Sequence, residues 1–103
     1  MLEKTVESYF IKKISERGFL TLKFLSTVRG VPDRIVFADG RCFLVELKNG
    51  AAGRVSKLQE YMFRRLLRCG FPVYILRCRR EVDDFVDGIP ALSVPADGYR
   101  LDS

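Results

Sequence analysis

The sequence predicts an α/β domain with its elements in the order αβββαβ, followed by a short helix and a C-terminal tail. Three features predict it. Asp39-Gly40 is a hairpin signal flanked by β-branched and aromatic runs; segments with apolar residues at helical spacing lie on either side of that hairpin; and a further apolar run, Phe71 to Cys78, follows the second segment.

Residues 2–17 read as the first helix, with Leu2, Val6, Phe10 and Ile14 on one apolar face and Gly18 placed to end it. Residues 19–25 alternate as a strand, and a loop containing Arg29-Gly30 leads into the hairpin. There Asp39-Gly40 tolerates the positive φ angles of a two-residue type I′ turn. Counting outward, Ala38 faces Arg41, Phe37 faces Cys42, Ile35 faces Leu44 and Asp33 faces Glu46. Strand side chains alternate between faces, so Asp33, Ile35, Phe37, Cys42, Leu44, Glu46 and Lys48 share one face, while Val36, Ala38, Phe43, Val45 and Leu47 share the other. With apolar residues on both, the hairpin is expected to be covered on both sides, as in a central sheet.

Asn49 to Arg54 reads as a flexible connection. Ser56 reads as the N-cap of a second helix that runs through Cys69 and is closed by Gly70, with Leu58, Met62 and Leu66 at helical spacing. Phe71 to Cys78 is expected to be a buried strand, and Glu81 to Val86 a short helix with Val82, Phe85 and Val86 turned inward. Beyond it, Ile89, Leu92, Val94, Tyr99 and Leu101 suggest an ordered tail packed on the core or on a partner subunit. All 103 residues form one domain, with a core over about 2–78 and an acidic extension over 81–103.

Composition narrows the chemistry. No run approaches the roughly 20 apolar residues needed to span a membrane, and Met1-Leu2-Glu3-Lys4 lacks the plan of a signal peptide, so a cytoplasmic protein is expected. Cys42, Cys69 and Cys78 are odd in number and lack close ligand spacing, which disfavours a disulfide framework or a zinc site; they read as small core residues. Histidine is absent, so triad and His-based general-base chemistry are excluded. The net charge of +5 hides an asymmetry: residues 1–80 carry 17 Lys/Arg and 7 Asp/Glu, whereas residues 81–103 carry 1 and 6. A core at +10 attracts polyanions through phosphate neutralisation, which makes nucleic acid the natural partner.

Asp33 and Glu46 are the candidate site. Cross-strand neighbours have Cβ atoms about 4.5–5.5 Å apart, and like charges so placed destabilise a sheet. A divalent cation resolves the conflict, because Mg²⁺ takes one or two carboxylates and leaves its other positions to water and substrate phosphate. The alternative is a salt bridge from Lys48 back to Glu46 or Asp33. Glu7 lies on the edge of the inward face of the first helix, where it is either a further ligand or an acid favoured by the helix dipole. Ser56-x-x-Gln59 fits a capping box.

Pro32-Asp33 followed by Glu46-Leu47-Lys48 resembles the PD-(D/E)XK nuclease signature. The fuller string Arg29-Gly30-Val31-Pro32-Asp33-Arg34-Ile35-Val36, with Phe43-Leu44-Val45-Glu46-Leu47-Lys48 and Gln59 at a helix start, is similar to the virus-type replication-repair nuclease (VRR-NUC) branch over roughly residues 3–78. Ser26-Thr27-Val28 and the insert from Asn49 to Val55 depart from that pattern without removing a ligand.

The resemblance implies a restriction-endonuclease-like core in which Asp33, Glu46 and the Leu47 carbonyl hold Mg²⁺ or Mn²⁺. It further implies that Lys48 positions or activates water, Glu7 completes the cation site and Gln59 sits beside the lysine and the scissile phosphate; Gln59 can serve that role and the cap together. Arg29, Arg34, Arg54, Lys57, Arg64 and Arg68 are the candidate DNA contacts. By the same analogy the expected activity is that of a structure-specific endonuclease, a homodimeric resolvase of four-way (Holliday) junctions of viral or prophage origin in a bacterial cytoplasm. A flap or nicking nuclease and a non-catalytic DNA-binding or dimerisation module are the alternatives, and no small-molecule cofactor beyond the metal is expected.

Overall fold

The computed structural model describes residues 3–50 and 53–89. Helix α1 (Glu3–Glu16) is followed by β1 (Leu20–Lys23), β2 (Arg34–Ala38) and β3 (Arg41–Leu47), then α2 (Lys57–Arg68), β4 (Val73–Leu76) and α3 (Arg79–Asp87). The order matches the αβββαβ plan with its added helix. The four strands form one sheet in the order β1-β2-β3-β4, antiparallel except for the parallel pair β3–β4. That parallel pair is the one that needs a crossover, and α2 supplies it.

The hairpin forms in the register that the turn dictates. Asp39 and Gly40 have φ of 56° and 69°, the positive pair of a type I′ turn, and the strands pair as Ala38↔Arg41, Phe37↔Cys42, Val36↔Phe43, Ile35↔Leu44 and Arg34↔Val45. The next step outward brings Asp33 opposite Glu46.

One face of the sheet carries the core. Val6, Phe10 and Ile14 of α1 meet Val36, Ala38, Val45 and Leu47 of the hairpin, Leu76 of β4, and Val82, Val86 and Ile89 at and after α3. Each Val, Leu, Ile or Phe fully buried here stabilises the fold by about 1.5–3 kcal/mol. Phe85 adds an edge-to-face contact with Phe43 at 5.7 Å between ring centres. Helices α1 and α3 lie side by side here, tied by the Tyr9 hydroxyl donating to Asp83 Oδ1 at 2.6 Å and by the Arg17–Asp87 ion pair. The end of α1 is closed by Gly18 N–H to Ser15 O at 2.9 Å and Phe19 N–H to Ile14 O at 3.1 Å.

The opposite face departs from the expected double cover. Helix α2 packs there against β4, and none of its residues is buried; Leu58, expected inward, is exposed. Leu20 (52% exposed), Leu22 (48%) and Phe37 (42%) therefore form an open apolar strip at the β1–β2 side. Strand β4 is an edge strand and only Leu76 of it is buried, which corrects its reading as a buried strand. The cysteines are free and are not core residues: Cys42 is half-buried, Cys69 and Cys78 are exposed. The apolar tail positions Leu92, Val94, Tyr99 and Leu101, and Leu2 of the first helix, lie outside the described residues. Among those described, no helix is long and apolar enough to cross a membrane.

Candidate active site

Glu46 is the one buried charged residue described, with 2% of its surface exposed, and its environment explains how it is tolerated. Its Oε1 accepts from Asp33 N–H at 3.1 Å; its Oε2 accepts from Gln59 Nε2 at 2.8 Å and forms a 2.9 Å ion pair with Lys48 Nζ. Asp33 Oδ2 accepts from Leu47 N–H at 2.9 Å, so each acid is held by the backbone of the strand opposite. Lys48 Nζ donates also to Gln59 Oε1 at 3.1 Å. Lys48 thus forms the ion pair with Glu46 that one of its two readings expects.

Local sequence builds this cluster. The turn at Asp39-Gly40 sets the acids opposite each other, alternation puts Lys48 on the face of Glu46, and α2 begins where it can reach both. Ser56 caps α2 with a complete capping box, its Oγ accepting from Gln59 N–H and the Gln59 Oε1 accepting from Ser56 N–H, each at 3.1 Å. Gln59 therefore serves the helix cap and the acid–lysine pair at once.

Electrostatics follow from burial. Desolvation, with a smaller contribution from the nearby Asp33 charge, pushes the Glu46 carboxyl above its ordinary value of 4.5, against the lowering effect of its bonds to Lys48 and Gln59. An acid whose folded pKa is raised binds its proton more tightly when folded, so its favourable contribution is full below the unfolded value and is lost as pH rises through the folded one. In metal-free buffer the melting temperature is expected to decline as pH rises above about 4.5 through the Glu46 titration, and Glu46→Gln should flatten that decline. A decline of equal slope in Glu46→Gln would assign it to another group.

The cluster opens on a cavity of about 370 Å³ lined by Asp33, Glu46, Leu47, Lys48, Asn49, Gly53 and Arg54. The described parts of its loop wall are hydrogen-bonded: Gly50 N–H donates to Arg77 O and Lys48 O, each at 3.2 Å, and the Arg77 guanidinium donates to the carbonyls of Gly50 and Gly53. Residues 51–52 lie outside the described residues. Sequence reasoning did not single out Asn49 or Arg77. The only available signal for Arg77 is the β3–β4 pairing, which brings it beside Lys48 just beyond the Leu47↔Leu76 pair.

Two candidate residues are not brought to the cluster. Glu7 Oε2 is paired with Arg34 NH1 at 3.3 Å, and Arg34 Nε donates to Thr21 Oγ1 at 3.2 Å. The Arg34 side chain is only 11% exposed, which ill suits a phosphate contact; it follows Asp33 directly in the strand and so points to the opposite face, toward α1. Among the described residues no group of three or more Asp, Glu, Cys or His side chains is arranged to hold a metal ion, so the acid set at the cavity is Asp33 and Glu46. Arg29, Arg54, Lys57, Arg64 and Arg68 are all exposed, Arg54 on the cavity rim and the last three on α2.

Neither a protein-family model nor a curated protein matches the sequence. Among solved structures, one described as a VRR_NUC domain is similar to this chain with a TM-score of 0.76 and 24% identity, over 84% of this chain and 95% of that one. The likeness establishes the fold: this chain has the architecture of a VRR_NUC domain.

Proposed function

We propose that this protein is a metal-dependent DNA endonuclease of the PD-(D/E)XK type. One observation carries the reading: two carboxylates on adjacent strands, one of them buried, share a hydrogen-bonded cluster with a lysine and a glutamine at the wall of an open cavity. A binding module has no need for opposed carboxylates, which destabilise the sheet that carries them.

The donor set fits a hard divalent cation. Asp33, Glu46 and Leu47 line one cavity and offer carboxylate and carbonyl oxygens, and Mg²⁺ is ordinarily held by one or two carboxylates, with water and phosphate completing its shell. When bound there, Mg²⁺ or Mn²⁺ would supply polarisation of the scissile phosphate and stabilisation of its developing charge. The chain itself positions the reactants. Lys48 has three N–H donors; two engage Glu46 Oε2 and Gln59 Oε1, and the third serves the attacking water or a phosphate oxygen. Gln59 fixes the direction of that ammonium, and Arg54 on the rim neutralises an incoming backbone phosphate together with Arg29, Lys57, Arg64 and Arg68. Glu7 acts as a ligand only after exchange from Arg34 to the ion.

The finer reading is a homodimeric resolvase of four-way junctions. The open strip of Leu20, Leu22 and Phe37 suits burial against a second copy, and a two-fold dimer presents two sites to a branched substrate. The test is cleavage of end-labelled four-way junction, flap and linear duplex DNA with Mg²⁺, Mn²⁺ or EDTA. Paired symmetric cuts at the junction that require metal are expected. Preferential flap or nicking activity would keep the chemistry and replace the substrate, and metal-independent binding without any cleavage would leave a DNA-binding module.

A further inference from the structure

Gln59 joins two hydrogen-bond systems that serve different ends. Its main-chain N–H and its Oε1 close the capping box with Ser56, which fixes the first turn of α2. The same Oε1 accepts from Lys48 Nζ, while Nε2 donates to Glu46 Oε2. These partners admit one orientation of the carboxamide, because an ammonium and an N–H require its oxygen and a carboxylate requires its NH₂. A carboxamide is also planar, so its two ends turn together: with Oε1 seated on the Ser56 N–H, Nε2 is aimed at Glu46. The turn that carries Gln59 is held from a second side. A Cβ at Gly30 would lie 2.9 Å from the Leu58 carbonyl oxygen, so the loop before Asp33 packs on the backbone of that same turn.

We propose that Ser56 is a positioning residue for the site: by capping α2 it sets the Gln59 carboxamide, and through it the Lys48 ammonium against Glu46. Its kinetic consequence rests on the nuclease reading; its geometric consequence does not. A Ser56 that merely starts a helix would affect stability alone, whereas here its Oγ holds the main-chain N–H of the residue whose Oε1 receives Lys48 Nζ, so loss of the Oγ is transmitted through Gln59 to the lysine.

The experiment compares the intact chain with Ser56→Ala, Ser56→Thr and, as a control that weakens α2 away from the network, Leu66→Ala. Four quantities are read: the hydrogen-exchange-protected ¹⁵N signal of the Lys48 ammonium, the single-turnover rate on the DNA that the wild type cuts, DNA affinity in Ca²⁺ and the melting temperature. Ser56→Ala is expected to lose the protected signal and to slow cleavage by about tenfold to a hundredfold with little change in affinity. Ser56→Thr, which keeps the Oγ, should retain both, as should Leu66→Ala despite a lowered melting temperature. A wild type with no protected signal, a Ser56→Ala protein that keeps it at the wild-type rate, or equal losses in Ser56→Ala and Leu66→Ala would each overturn the inference. Loss of the signal in Ser56→Ala alone, in a wild type that cuts no DNA, would uphold the positioning and reject the nuclease.

Discussion

Lys48→Ala should slow metal-dependent DNA cleavage on the order of 10³-fold while leaving a folded protein that still binds DNA. In the proposed mechanism the lysine supplies the N–H directed at water or phosphate, and no other cation among the described residues is hydrogen-bonded to Glu46 or Gln59. Its removal strips the ion pair from a carboxylate that is 2% exposed, a loss that ordinarily costs about 3–5 kcal/mol when a buried partner is left charged. Here the cost should be nearer ~2 kcal/mol, because Gln59 Nε2 and Asp33 N–H still donate to Glu46, and the raised pKa of that carboxyl lets it take up a proton instead. Cleavage assays, thermal melting and DNA affinity in Ca²⁺ separate these effects. An unfolded Lys48→Ala protein would make the lysine structural, and undiminished cleavage would remove it from the chemistry.

Gly30→Val should be the most damaging single change outside the core. Gly30 has φ of 91°, a region that a β-branched residue enters only at high cost, and its missing side chain is the space the Leu58 backbone occupies, with the carbonyl oxygen 2.9 Å and the carbonyl carbon 3.2 Å from the position of a Cβ. Neither atom is the end of a flexible side chain, so the first turn of α2 must move. A destabilisation of about 3 kcal/mol is expected, lowering the melting temperature by roughly 12–24 °C, with Gly30→Ala smaller. Because Gln59 rides on the displaced turn, cleavage should fall even where the variant remains folded. Wild-type melting in Gly30→Val would show that the loop relaxes away from α2.

The parts of the fold legible in the sequence are those fixed by short-range geometry. Asp39-Gly40 sets the hairpin register from its own turn, so the meeting of Asp33 and Glu46 is readable without knowledge of any other element. Ser56 and Gln59 announce the start of α2 within one turn of helix. What the sequence left unread depends on how distant segments cross. A stripe of Leu58, Met62 and Leu66 identifies a helical face, yet it says nothing of how much sheet that face covers, and α2 leaves Phe37 and its neighbours open. Glu7 and Arg34 lie 27 residues apart and pair because of the path α1 takes over β2. No turn sets the parallel register of β3 and β4, so Arg77 gave no sign of its place beside the loop that follows Lys48. Cys69 and Cys78 sit at element ends, where local apolar neighbours do not ensure cover.

The type I′ turn also bears on the order in which the molecule assembles. Hairpins close on a scale of about 1–10 μs, well ahead of contacts between segments far apart in the chain. Asp33 and Glu46 lie 13 residues apart, so their carboxylates are driven together as the ribbon zips, before α2 docks to bring Gln59. Their repulsion is then met early, by Lys48 on the same face, solvent and counterions, without Gln59. The acid pair is a kinetic burden on the nascent hairpin as well as a cost to the finished sheet, and a divalent ion captured at that stage would ease both.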